Sequence, residues 1–301
     1  VPKYNILIAR FPYHGDEQAT TTDWLVETVL KMKKDPRIGD VQHVKIDDTP
    51  VTMSRNRACR YAQKLGADYV LMVDSDMAPD LKGIPGAKPF WDTSWDFVLD
   101  HQGPCMVAAP YCGPPPWENV YIFQWGNRQN DEADPVASLN QFGREEAARM
   151  AGITEVAALP TGLILIDRRV LDRLPPPWFE YEWMDEYRAE KGSTEDVYFT
   201  RNASLAGIPI YCNWDAWAGH WKRKCVGKPR PMGPECVGAE LRKALSRPDS
   251  DERVIEIPVN GVGFGTPPSR TVKLPPRFNS NPGLCAVTQG VVPGTWSNHH
   301  A

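Results

Sequence analysis

Apolar positions fall into short unbroken runs separated by stretches of helical spacing, and the two patterns alternate as far as about residue 220. The run Tyr69-Val70-Leu71-Met72-Val73 follows Gly66-Ala67-Asp68 and closes on Asp74-Ser75-Asp76. Its length and composition predict a strand buried on both faces of a parallel sheet. Tyr4 to Ala9, Val41 to Ile46, Met106 to Ala109, Val120 to Trp125, Leu159 to Asp167 and Ile208 to Cys212 predict further strands. Apolar residues at helical spacing predict helices over Thr22–Lys33, Ser54–Leu65, Phe90–Leu99 and Arg144–Ala151, a short one over Arg168–Leu174 stopped by Pro175-Pro176-Pro177, and one opened by Thr194-Glu195-Asp196 and running to Ala206. Ser54 reads as the cap of the second helix. The alternation implies an α/β fold with a doubly wound, mostly parallel sheet.

After about Pro248 the periodicity fades into Gly- and Pro-rich sequence, apart from a strand at Val254 to Ile257. Two regions are therefore expected: 1–247, with halves of about 1–110 and 111–247, and an irregular extension over 248–301.

Composition narrows the classes. An apolar fraction of 42% supports a large core, and a formal charge of −4 over 301 residues favours neither a general nucleic-acid binder nor a halophilic surface. No segment has the apolar length of a membrane span, and VPKYNILIARFP lacks the features of a signal peptide, so a soluble, cytoplasmic protein is expected. Seven cysteines without a C-x-x-C pair read as reduced thiols. The 29 prolines and 11 tryptophans predict rigid, aromatic-lined loops on this scaffold.

Candidate chemistry starts at the end of the central run. Ligands of open α/β sheets bind where loops leave the carboxyl ends of strands. Asp74 and Asp76 stand there, and two like charges turned toward one point call for a cation or a proton. A hard divalent metal with oxygen ligands answers that need. Arg55, Arg57 and Arg60, with Asn56 among them, place cations near a helix start, against its dipole, which reads either as an anion site or as solvated arginines. Glu195 and Asp196 open a helix, where acids also serve as ordinary caps. The segment 222–247 is strongly positive within an acidic chain, which suits a nucleic-acid strand or a solvated basic loop.

The ordered set Ser54-Arg55-Asn56-Arg57-Ala58, Asp74-Ser75-Asp76, Thr161-Gly162 with Asp167-Arg168-Arg169, Thr194-Glu195-Asp196 and Gly219-His220 resembles that of GT-A fold glycosyltransferases of the family 2 type, over residues 4 to 221. The resemblance implies a GT-A, Rossmann-like sheet flanked by helices and transfer of a sugar from a nucleotide-diphosphate sugar, UDP-linked by analogy, to an acceptor hydroxyl. It implies Mn2+ or Mg2+ held by Asp76 and His220 with Asp74 beside them, an imidazole ligand tilting the choice toward manganese. Asp196 would be the base, with Glu195 as its neighbour. Phe11, Pro12 and Tyr13 would wall the nucleotide base, and Asp47 or Asp48 would accept its N–H. Arg55, Ser75, Lys222 and Lys224 would face the donor, with its diphosphate before Arg55 and under the two lysines. Thr161 and Gly162 would let the backbone approach a sugar. The acceptor stays open between a glycan, a protein, a lipid headgroup and a modified nucleobase in nucleic acid.

Other readings fit less well. A haloacid-dehalogenase-type phosphatase would carry Thr or Val where Ala78 stands, and an EF-hand would need Gly at Pro79 and Glu at Pro85. A sugar-nucleotide pyrophosphorylase would show a Gly-rich loop that Arg10 to Gly15 lacks. Zinc at Cys212, His220, Cys225 and Cys236 would lack paired short spacings. A non-catalytic sugar- or partner-binding module is the alternative of a different class, since the tryptophans would serve stacking as well as packing.

Overall fold

The computed structural model describes residues 2–12, 17–47, 50–115, 118–126, 138–184, 186–188, 191–222, 225–226, 228, 253–258 and 269–274. The chain divides into two units, Val1–Gly233 and Pro234–Ala301. The boundary expected between 247 and 248 lies outside the described residues.

In chain order the first unit opens with β1 (Tyr4–Phe11), α1 (Ala19–Lys34), β2 (Ile38–Lys45), α2 (Val51–Leu65), β3 (Tyr69–Asp74), β4 (Met77–Ala78), α3 (Phe90–Asp100) and β5 (Met106–Ala108). There follow β6 (Phe123–Trp125), β7 (Leu139–Gln141), α4 (Arg144–Arg149), β8 (Ile153–Val156), β9 (Leu163–Asp167) and α5 (Arg168–Arg173). The unit continues with β10 (Glu182–Trp183), β11 (Lys191–Ser193), α6 (Glu195–Leu205), β12 (Ile210–Asn213), β13 (Gly219–Trp221) and β14 (Cys225–Val226).

Seven strands form one sheet in the order β2-β1-β3-β9-β5-β12-β8. β1, β2, β3, β5 and β12 run one way, and β8 and β9 run against them. The mixed, mostly parallel α/β fold expected from the alternation is therefore what the chain adopts. The direction of β9 is what the pattern left out, because a strand buried on both faces shows the same apolar run either way. β9 is wholly buried and pairs antiparallel with β3 and with β5, Val73 opposite Leu163 and Met106 opposite Ile166.

Strand alternation sorts the core into two layers. Leu7, Ala9, Val70 and Met72 face one way, onto Ala58 and Ala62 of α2, Val170 and Leu171 of α5 and Phe199 and Ala203 of α6. Ile6, Ile8, Leu71 and Val73 face the other way, onto Trp24, Leu25 and Met32 of α1 and Phe90, Trp91 and Trp95 of α3. At about 25 cal/mol per Å2 of apolar surface, burying such side chains dominates the stabilisation.

Several boundaries differ from expectation, the strand expected from Leu159 starting at Leu163 among them. Helix α2 starts at Val51 on a Pro50 cap, so Ser54 is a buried interior residue rather than a cap. Proline's fixed φ, here −73°, already suits a helix entrance. The helix stops at Gly66, whose φ of +67° is the left-handed conformation glycine adopts without steric cost. Of the strand expected over Val120–Trp125, only Phe123–Trp125 forms one, paired with β7.

The described part of the second unit is an antiparallel hairpin, β15 (Arg253–Pro258) on β16 (Ser269–Leu274). The first strand was expected from the sequence, whereas the second lies in sequence that reads as irregular. No helix among the described residues is long and apolar enough to cross a membrane.

Candidate active site

The carboxyl ends of β1, β3 and β5 and the amino end of β9 meet at one edge of the sheet, and the chemistry-bearing residues of the first unit gather there. β3 delivers Asp74. Its backbone N–H donates to the Gly162 carbonyl at 2.8 Å, which ties the strand end to the loop entering β9. Two residues on, the short strand β4 pairs antiparallel with β13, with Met77 opposite His220. The Trp221 N–H donates to the Asp76 carbonyl at 2.7 Å. That ladder brings His220 Nε2 to 3.2 Å from Asp76 Oδ2, and Lys222 Nζ to 2.9 Å from the same oxygen.

Asp74 turns the other way. Its Oδ2 accepts from Arg55 Nη2 at 2.8 Å, while Oδ1 is buried with no partner among the described residues. Arg55, on α2 and only 2% exposed, also bonds Glu195 Oε1 at 2.7 Å and Asp196 Oδ1 through Nη1, and its guanidinium lies 5.7 Å from the centre of the Phe179 ring. Glu195 and Asp196 form the first turn of α6. Asp196 Oδ1 also accepts from the buried Thr161 hydroxyl at 2.6 Å. Its second oxygen takes no hydrogen bond among the described residues.

Three carboxylates around one guanidinium leave an excess of negative charge, and the titration of the groups reflects it. Burial pushes Asp74 above the usual aspartate range, and the nearby charges of Asp196 and Asp76 add to this against the pull of Arg55. Burial and Asp196 raise Glu195 in the same way. Burial works against a charged Arg55, but the three acids overcome it and hold the guanidinium charged. Asp76 moves the opposite way: burial raises it, yet the hydrogen bonds and charges of His220 and Lys222 more than compensate and keep it below the usual range.

Tyr111 stands just beyond β5, between the two groups. Its ring packs edge-on against His220 at 4.9 Å, and burial together with Asp196 and Asp74 raises its phenol well above the ordinary value. A Cβ on Gly162 would lie 2.9 Å from the Tyr111 hydroxyl oxygen and 3.1 Å from Met77 Sδ. The space on the Cβ side of Gly162 is thus filled by Tyr111 and Met77.

Asp74, Arg55, Thr161, Gly162, Glu195 and Asp196 are thus brought together, and Asp76, His220 and Lys222 form the neighbouring group. Arg55 faces the acids instead of an open diphosphate site, a role that followed from its inward position on α2 once the helix began at Val51. Ser75 is buried, its carbonyl accepting from the Gln18 N–H and the Thr21 hydroxyl. Phe11 pairs in register with Asp74, and both Phe11 and Pro12 are buried. Asp47 is exposed beyond β2, one strand further out. Tyr13, Asp48 and Lys224 lie outside the described residues. Cys212 is a buried thiol within the sheet, its pKa raised by burial.

The residues fit a divalent cation at Asp76 and His220. Oxygen and imidazole donors 3.2 Å apart are spaced as adjacent ligands of one ion with bonds of about 2.1 Å. Asp74 Oδ1 is a further buried oxygen without a partner among the described residues. Among the described residues no three His, Cys, Asp or Glu side chains are grouped so as to hold a metal ion.

The hairpin β10–β11 borders the acids. Burial and then Glu195 raise the Tyr181 phenol, and Trp183 beside it is 38% exposed. A separate concavity of about 390 Å3 opens at the opposite edge of the sheet. Its Asp167 is bound to Arg169, and its His101 faces the Gly103 carbonyl and the Tyr211 hydroxyl, so its polar groups are spent on one another.

No protein-family model and no curated protein matches the sequence. Among solved structures the chain is similar to A197 from STIV, at 16% identity and a TM-score of 0.45, covering 75% of this chain and 96% of that one. It is similar to a UDP-glucose pyrophosphorylase complexed with UDP-glucose, at 8% identity and a TM-score of 0.40, covering 76% and 92%. A glycosyltransferase involved in the glycosylation of the major capsid of PBCV-1 aligns at 16% identity and a TM-score of 0.25, covering 59% and 69%. No residue role is carried over from these likenesses.

Proposed function

We propose that the first unit is a metal-dependent glycosyltransferase that moves a sugar from a nucleotide-diphosphate sugar, UDP-linked, to an acceptor hydroxyl. The observation that carries this reading is the pairing, at one sheet edge, of a cation-suited Asp76–His220 couple with a carboxylate, Asp196, held by Thr161 and Arg55. Sugar transfer needs both parts: a centre that neutralises a departing diphosphate and a base that takes the acceptor proton.

Asp76 and His220 would hold Mn2+ or Mg2+, which when bound offsets the charge that builds on the diphosphate. Lys222 adds cationic charge beside it. Asp196 is the base. Both Thr161 and Arg55 bond its Oδ1, which orients the carboxylate and leaves Oδ2 to take a proton. Arg55 is a positioning residue: it bonds Asp74, Glu195 and Asp196 at once. Phe11, Pro12 and Asp47 would form the nucleotide side, and Tyr181 and Trp183 would supply aromatic wall on the acceptor side.

The test is a screen of nucleotide sugars with Mn2+, read as release of nucleoside diphosphate, on the wild type, Asp76→Ala and Asp196→Asn. The reading expects release to vanish in Asp76→Ala, and to fall in Asp196→Asn while donor binding persists. Equal release from the wild type and Asp76→Ala would remove the metal site from the reading. Binding of the donor without any turnover would favour a sugar-binding module.

A further inference from the structure

We infer that Lys222 is a tethered stand-in for the cation: without ligands its ammonium holds Asp76, and when an ion arrives it passes to the donor's diphosphate, coupling the two binding events. The inference rests on the metal-dependent reading above.

Three observations lead to it. First, Lys222 Nζ and His220 Nε2 converge on one atom, Asp76 Oδ2, at 2.9 and 3.2 Å. An ion bound to that oxygen and to His220 would meet the ammonium within a few ångströms, where two positive charges repel. Occupancy of that oxygen by lysine and by metal is therefore antagonistic.

Second, the backbone leading into Lys222 is held. β13 pairs with β14, with Trp221 opposite Cys225 and His220 opposite Val226. The Trp221 N–H is bonded to the Asp76 carbonyl, and its indole N–H to the Thr20 hydroxyl at 3.0 Å. The exchange falls to the side chain.

Third, that side chain is free to make it. It is 48% exposed, and it ends in a compact ammonium on a flexible stem. The ammonium displaced from Asp76 needs a new anion, and the diphosphate brought in with the ion is the group of matching charge. Each ligand then clears the way for the other, and linkage makes the coupling reciprocal.

Calorimetry on the whole chain tests this, with Mn2+ alone and then with UDP at saturating Mn2+, on the wild type, Lys222→Met and Lys222→Arg. The methionine variant should bind Mn2+ alone more tightly by about threefold, the scale of a half-exposed ion pair, and UDP more weakly by a similar factor. The arginine variant, which keeps the charge, should stay near the wild type in both. Equal or weaker Mn2+ binding in Lys222→Met, with its thermal melt unchanged, overturns the inference alone. A wild type that takes up neither Mn2+ nor UDP overturns the glycosyltransferase reading as well.

Discussion

Asp74 and Asp76 are separated by a single residue and are driven in opposite directions, the first above the ordinary aspartate range by burial and the second below it by His220 and Lys222 despite burial. The chain leaves β3 between them, so one carboxylate turns into the Arg55 cluster and the other toward β13.

This divergence predicts opposite pH slopes. A raised native pKa means that the folded state holds the proton of Asp74 more firmly. That contribution is full below the ordinary value of 3.8 and is lost as pH rises through the raised one. Asp74→Asn should therefore gain stability relative to the wild type as pH climbs from acidic to neutral. Asp76 contributes above its ordinary value and loses that contribution as pH falls, so Asp76→Asn should be worst near neutrality and approach the wild type in acid. Urea midpoints across that range check both, and parallel curves would contradict the assignment.

Gly162→Ala should destabilise the fold by about 1–3 kcal/mol, the usual range for overpacking a filled core. The added Cβ would meet Tyr111 at 2.9 and 3.0 Å and Met77 at 3.1 Å. Equilibrium denaturation measures the loss. Because Tyr111 packs on His220, Mn2+ affinity should fall in the same variant.

Arg55→Met should cost about 3–5 kcal/mol, since it strands buried acids without their counter-charge. Arg55→Lys should recover only part, because an ammonium cannot reproduce a fork that serves Asp74 through one nitrogen and Glu195 and Asp196 through the other. Denaturation midpoints of the two variants give the comparison.

Thr161→Val keeps the side-chain shape and removes the donor to Asp196. Loss of a hydrogen bond to a charged group, expressed in the transition state, lowers kcat on the order of tenfold. Steady-state kinetics on an active donor should show this with the donor KM nearly unchanged.

The parts of this molecule that local pattern governs are those that were legible in the sequence. The run Tyr69–Val73 ends in acids at a sheet edge because five apolar residues admit only a buried strand, and Glu195 and Asp196 open α6 because acids suit a helix start. What depends on partners distant in sequence was not legible from local spacing. Arg55 and Glu195 are 140 residues apart and nothing announced that pair, while His220 and Asp76, 144 apart, were joined only by the family resemblance. Tyr111 was missed although its place just past a parallel strand, at the same edge as Asp74, was a usable signal. The inward role of Arg55 was hidden by reading Ser54 as a cap, which moves the helix start by a turn.

The Arg55 tie also has a mechanical consequence. It clamps α2 and β3, from the first hundred residues, to the start of α6, so these three cannot breathe separately. Amide hydrogens around Arg55, Asp74 and Asp196 should therefore exchange with solvent as one slow block. Any opening needed to admit substrates is left to segments outside that clamp.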